Sequence, residues 1–374
     1  MPTRKVAYLT PLYFDEQSCI GGGERYPTNL AAGIVAGSGG RYSVDLISYG
    51  KAPAVRPIRP GVTLRILPVD HRAGNPLDVA SWALPAAIAD ADLVHLHTAY
   101  TRSSELGLLA ARQQRKPVCV SDHGGQSSDL GKSVGLLAMV DRVVCYSDFG
   151  ARLYPPGTPI VVVKGGVDAA AFAPPAGPRP PRDRVLFVGR LLAHKGVDYL
   201  IDALPPELPL TVCGRPYDAD YFDRLKRSAE GKRVEFVTDA DDEAVRALYA
   251  RAWANVLPSV YRDCYGRTHV APELMGFTLL EAMACGTPAV ASRVAAMPEF
   301  VREGETGFVF DTPGELTAIL RRLANDPELV ERIGDEGRRT VDREYALEVA
   351  GARLAELYDE LIDRPRAGRG GAAA

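Results

Sequence analysis

Short, unbroken apolar runs alternate along the chain with longer segments of helical period. The first runs are VAYLT (6–10), SVDLIS (43–48), VTLRILPV (62–69), DLVHLH (92–97), PVCVSD (117–122) and DRVVCYS (141–147). Continuous rather than alternating apolar runs mark strands covered on both faces, as in parallel sheets with crossover helices. A doubly wound α/β domain is therefore predicted, with its first long helix near 24–36. The pattern stops at PPAGPRPP (174–181), whose five prolines can neither continue a helix nor pair in a central strand. It resumes with RVLFVG (184–189), LPLTVCG (208–214), RVEFVT (233–238), WANVLP (253–258) and TPAVAS (287–292), which predict a second doubly wound domain. A last helical stretch near 340–362 has no strand after it, and RPRAGRGGAAA is a small-residue tail expected to be disordered. The expected organisation is a first domain over 1–174, a linker over 175–183 and a second domain over 184–345. A C-terminal helix over 346–362 should pack back on the first domain, and 363–374 is tail.

Composition agrees with this and narrows the partners. A chain of 374 residues suits two domains. With 46% hydrophobic and 24% charged residues it is too apolar to be disordered. The formal charge of −3 speaks against a nucleic-acid binder, so any polyanion bound should be small. The first 175 residues carry +3 and the remainder −6, a weak asymmetry. The helix near 24–36 has only Arg25 as a base, and no apolar run is long enough to span a membrane, so membrane association is peripheral at most. Six cysteines without a CxxC pair argue against zinc or a disulfide framework and for a reducing compartment. The N-terminal MPTRKVAYLTPLYFDEQ is expected to be a first strand rather than a signal peptide, so a cytoplasmic location is expected. Oligomeric state is left open by these features.

Open α/β domains bind ligands at the carboxyl ends of their strands. In FVGRLLAHKGVDYLIDAL, Gly189 and Arg190 end a strand, and Lys195 and Gly196 start a helix. Two cations beside a helix N-terminus suit a diphosphate. APELMGFTLLEAMACGTPAVAS places Glu273 before a helix beginning at Gly276 and Glu281 about a turn and a half inside it. Carboxylates accept hydrogen bonds from sugar and ribose hydroxyls, and the N–H groups of Gly276, Phe277, Thr278 and Leu279 are expected to be free for a phosphate.

In the first domain Gly21, Gly22 and Gly23 follow a strand, so bare backbone could approach a phosphate or an acceptor, with Glu24 next in sequence. His123 ends the PVCVSD strand and would face the cleft. His95 and His97 are expected on opposite faces of their strand, with His97, nearer the strand end, the better site candidate and His95 in the core; the same expectation argues against a two-histidine metal site. Asp218, Asp220 and the DADDE string at 239–243 read as helix N-caps and first-turn acids rather than metal ligands.

These strings resemble the retaining family-four glycosyltransferases of the GT-B fold, over nearly the whole chain. GGGERYPTNLA (21–31) resembles the family's glycine-rich first loop, DLVHLHTAY its fourth-strand motif, SDHGG its histidine loop and KGGVDAAAFAP its approach to the linker. GRLLAHKG and ELMGFTLLEAMACGTPAV are the most specific matches. The resemblance implies an α/β fold of two doubly wound, Rossmann-like domains facing a cleft. It implies a nucleoside diphosphate sugar donor on the second domain, with a UDP-sugar slightly favoured, and no metal or other cofactor. The acceptor would be a hydroxyl of a glycolipid, polysaccharide, thiol-cofactor precursor or natural product, bound mainly by the first domain.

The resemblance puts Arg190 and Lys195 on the diphosphate, Glu281 on the ribose and Glu273 on the donor sugar. Gly22, Gly23, Gly189, Gly276, Phe277, Thr278 and Leu279 complete the donor contacts. His123, Arg190, Lys195 and Glu273 are the expected catalytic residues, and Glu24 and His97 the acceptor-side ones. No motif offers a covalent nucleophile, which fits the family's front-face mechanism. Three features depart from the family's pattern: Gly165 where Asn often precedes GVD, Thr238 where Gly often follows VEFV, and YRDCYGRTHVAP, a long approach to Glu273. The rival functions are a nucleotide-sugar 2-epimerase and a non-catalytic sugar-nucleotide sensor.

Overall fold

The structure is a computed structural model that describes residues 3–11, 22–72, 77–121, 130–133, 135–174, 177 and 179–365. The chain divides into two compact units. One comprises Met1–Cys145, Pro155–Val163 and Leu347–Ala374, the other Tyr146–Tyr154 and Lys164–Ala346.

The first unit holds an eight-stranded sheet in the order Ile160–Val162, Arg142–Cys145, Val118–Ser121, Leu93–His97, Arg4–Leu9, Tyr42–Gly50, Val62–Pro68, Ala54–Arg59. All neighbours are parallel except the last pair. The apolar runs land on the inner strands because those are covered on both faces. Ala54–Arg59 carries no such run, being an exposed edge strand with Pro57 inside it. The helix Gly22–Gly37 lies against the last helix, Leu347–Asp363, through glycines: a Cβ on Gly33 would fall 2.2 Å from Leu347 O, and one on Gly351 2.0 Å from Gly33 C. Arg4 and Arg41 both pair with Asp359 on the same last helix.

His95 and His97 correct one expectation. Residues two apart on a strand share a face, and the two rings stack at 4.6 Å with 19° between their planes. Both are fully buried. His95 Nε2 lies 2.9 Å from Ser121 Oγ and its Nδ1 meets Tyr358 OH, while the His97 ring packs 4.7 Å from Tyr8.

The second unit holds a six-stranded, wholly parallel sheet in the order Val234–Val237, Leu210–Cys213, Arg184–Val188, Ala252–Leu257, Ala289–Ser292, Gly307–Phe310. Asp218 and Asp241 cap their helices, accepting from Tyr221 N at 3.0 Å and Ala244 N at 2.8 Å. The chain passes into the second unit for its long central stretch at Val163/Lys164, ahead of the proline-rich segment. Gly166 and Val167 N–H both donate to Tyr345 O, which draws the chain after Val163 into the second unit. Gly165 has φ 99°, and a Cβ there would meet Tyr345 Cα at 2.6 Å, so the departure from Asn at this position has a steric cause. Among the described residues no helix is long and apolar enough to cross a membrane.

Candidate active site

The second unit's site grows from strand ends. Arg184–Val188 runs into Gly189 and Arg190, and the backbone there is so close to the neighbouring strand end that a Cβ on Gly214 would lie 1.7 Å from Gly189 O. After Arg190 the chain makes a short turn, Ala193–Lys195, closed by Gly196 in the left-handed region at φ 67°. A side chain at Gly196 would strike Pro258 O at 2.1 Å, and Val260 N–H donates to His194 O at 2.9 Å. The turn is thus fixed on the segment that follows the strand Ala252–Leu257.

That fixture aims Lys195. Its ammonium forms an ion pair with Glu273 Oε1, and Ser259 Oγ donates to the same oxygen at 2.9 Å. Ser292 Oγ in turn donates to Ser259 O at 2.6 Å. The Lys195 and Glu273 side chains are only 13% and 9% exposed, so each charge is buried but compensated. Arg190 differs: it is exposed and, among the described residues, its side chain has no hydrogen bond or ion pair. Between them, burial and the neighbouring Lys195 charge push the His194 imidazole down to about 4, against the opposing pull of Glu273.

Glu281 sits in a separate hydrogen-bonded group. Its helix, Phe277–Ala284, starts at Gly276 (φ 71°), where a Cβ would meet Met297 Cε at 2.7 Å. Glu281 is 3% exposed, and Tyr249 OH lies 3.2 Å from both its Oε2 and Thr278 O. Asn255 Nδ2 donates to the same Thr278 carbonyl at 3.2 Å. Burial and the Glu281 charge raise the Tyr249 phenol well above its usual range, so it remains a donor. Of the four N–H groups expected to be free at this helix start, Leu279 N–H is not: it donates to Gly276 O at 2.9 Å, tightening the first turn.

Lys195 and Glu273 are therefore brought together, Arg190 stands at the head of the same turn, and no hydrogen bond joins the two glutamates. In the first unit Gly22 and Gly23 open the helix Gly22–Gly37. His123 and the Glu24 side chain lie outside the described residues. His97 is at the carboxyl end of its strand as expected, but wholly buried. The sequence reading missed Ser259, Tyr249, Asn255 and His194. Ser259 had a signal, a polar residue just past the carboxyl end of the strand Ala252–Leu257, and Asn255 another, a polar residue inside that apolar run. Tyr249, on the helix Asp242–Ala250, had none.

Two doubly wound α/β units, their sheets parallel but for one edge strand, are the build of GT-B glycosyltransferases. The solved structure of Anabaena HepE in complex with UDP and glucose shares the fold, with a TM-score of 0.70 and 18% identity over 96% of this chain and 100% of that one. The model for Glycosyltransferase Family 4 matches residues 20–171, and that for Glycosyl transferases group 1 matches 172–340. The chain belongs to the family-four glycosyltransferases.

A glycogen synthase of Mycobacterium tuberculosis is 32% identical over 221 residues, covering 55% of this chain and 50% of that protein. The match thus spans half the length of that relative. An MMP alpha-(1->4)-mannosyltransferase of Mycolicibacterium hassiacum is 30% identical over 285 residues, covering 72% of this chain and 65% of that protein.

Proposed function

We propose that this glycosyltransferase moves a hexosyl group from a nucleoside diphosphate sugar to an acceptor hydroxyl with retention of anomeric configuration. The observation that carries this is the Lys195–Glu273–Ser259 group beside Arg190, whose side chain is unpaired among the described residues. Arg190 and Lys195 take the diphosphate oxygens, with Gly189 and the start of the helix Phe277–Ala284 letting backbone approach. Once phosphate competes for Lys195, Glu273 is released to accept hydrogen bonds from sugar hydroxyls. Glu281, held by Tyr249, accepts from the ribose.

As the glycosidic bond breaks, charge grows on the diphosphate, so fixed cations bind the transition state more strongly than the donor. The departing phosphate oxygen takes the acceptor proton, and the acceptor oxygen bonds to the anomeric carbon on the face just vacated. The cations replace a metal in this scheme. The acceptor side falls to the first unit, with Gly22, Gly23, Glu24, His97 and His123 as its candidates, and the enzyme works in the cytoplasm.

Support comes from family membership, from the hexosyl chemistry in the names of the relatives, and from a structural neighbour solved with UDP and glucose. The test is incubation with UDP-, GDP-, ADP- and dTDP-sugars and hydroxyl acceptors, followed by proton NMR of the first product. The donor's configuration should persist. An inverted linkage overturns the mechanism, and conversion of donor alone to its C2 epimer overturns transfer.

A further inference from the structure

The segment after Ser259 is long for its place, and it folds into a closed hairpin. Arg262 bridges Thr268 in antiparallel fashion, His269 N–H donates to Tyr261 O at 2.8 Å, and Gly266 turns the tip at φ 77°. Asp263 organises it from within. Only 4% exposed, its Oδ1 accepts from Tyr265 N at 2.9 Å and Arg267 N at 3.0 Å, and its Oδ2 lies 2.8 Å from His269 Nε2. Burial would raise this carboxyl, but the bond from His269 and the two N–H donors outweigh it and hold it below the usual range.

The hairpin is tied down on several sides. Its Tyr265 ring meets Tyr221 of the helix Ala219–Ser228 at 6.5 Å, and Tyr261 OH accepts from Ala295 N at 2.9 Å. On the remaining side, the His269 ring lies 5.1 Å from the His194 ring, and the Val260 N–H that leads into the hairpin holds His194 O. His194 is the residue before Lys195. A nearly buried Asp with three donors therefore orients one imidazole against the side chain next to the lysine that reaches Glu273.

We propose that the hairpin Tyr261–His269 is a positioning element for Lys195, acting through His269 on His194. This rests on the reading of Lys195 as a cation for the donor diphosphate. His269 touches neither Lys195 nor Glu273 by hydrogen bond; it sets the turn that carries the ammonium. A merely structural hairpin would stabilise the unit without being coupled to Lys195.

The experiment uses the full chain and follows nucleoside diphosphate release from UDP-, GDP-, ADP- and dTDP-glucose, with the fastest donor carried into kinetics. His269→Gln keeps an amide donor for Asp263, and so a closed hairpin, but removes the ring from His194. It should lower kcat about ten- to a hundredfold, the scale of a misplaced catalytic group, with little change in donor KM and an unchanged melting temperature. In a Lys195→Ala background the same substitution should have no further effect. Val270→Ala, at an exposed position beside the hairpin, should match the wild type. If Lys195→Ala lowers kcat and His269→Gln does not, or if the two losses simply multiply, the hairpin proposal is overturned and the donor reading stands. Unchanged kcat in Lys195→Ala overturns both.

Discussion

Lys195→Ala and Arg190→Ala remove one cation each from the same turn, yet their consequences should differ. Lys195 is paired with a carboxylate that is 9% exposed, so truncating it leaves Glu273 buried with Ser259 Oγ as its one remaining donor among the described residues. Breaking a buried pair by removing one partner typically costs about 3–5 kcal/mol, and the slight exposure of both groups favours the lower end. For a unit of about 190 residues, ~3 kcal/mol corresponds to a fall of roughly 6–12 °C in Tm. Arg190 is exposed and unpaired among the described residues, so its truncation should leave stability within about 0.5 kcal/mol of the wild type. In kinetics the two should converge: loss of one preorganised charge donor costs about 2.7–4 kcal/mol, roughly a hundred- to thousandfold in kcat. On the proposed reading both act on one diphosphate, so the double variant should lose less than the two losses combined. Lys195→Ala/Glu273→Gln should recover most of the melting temperature, because a neutral amide needs no counter-charge, and none of the activity. Differential scanning calorimetry beside steady-state kinetics reads all of this. Equal melting temperatures for the two single variants would refute the buried-pair reasoning, and raised KM at unchanged kcat in both would make the cations donor anchors only.

Two further outcomes follow from the same geometry. Turnover should persist in EDTA, since in the proposed scheme Arg190 and Lys195 neutralise the diphosphate without a metal; loss in EDTA restored by magnesium or manganese would contradict this and return Asp218 and Asp220 to consideration. The His194 imidazole titrates at about 4 in the fold against about 6.5 unfolded, so the unfolded chain binds more protons between those values. The His194 contribution to stability should therefore fall as pH drops from about 6.5 toward 4 and be flat above about 6.5, and His194→Asn should reduce the slope in that window in urea melts at stepped pH. An unchanged slope would mean that the ring is not held neutral.

How much of this was legible in the sequence depended on burial. The strands Arg4–Leu9, Leu93–His97, Arg184–Val188 and Ala252–Leu257 were visible because central parallel strands need apolar residues on both faces. Ala54–Arg59, whose burial is low throughout, gave no such signal. Arg190, Lys195, Glu273 and Glu281 stood out because glycines and a helical period fix their places along the chain. Their pairings did not: Ser259, although visible as a polar residue after its strand, and Tyr249 meet the glutamates only through tertiary packing, which no local spacing encodes. The Lys195–Glu273 ion pair was likewise invisible, as 78 residues separate its members. The error over His95 and His97 was one of strand geometry, while Leu279 N–H was lost to a tightened first turn that spacing alone does not disclose.

The central claim is that the second unit holds a nucleoside diphosphate through Arg190, Lys195 and Glu281. A thermal-shift panel of UDP, GDP, ADP and dTDP and their sugars tests it most directly, on the wild type and on Arg190→Ala, each variant compared with its own unliganded melt. A ligand at a hundred times its Kd should add about 2.7 kcal/mol of stability. At least one of these nucleotides should raise the wild-type melting temperature, and at the same concentration raise that of Arg190→Ala by clearly less. A panel in which none stabilises the wild type, or in which Arg190→Ala responds equally to all, would contradict the claim.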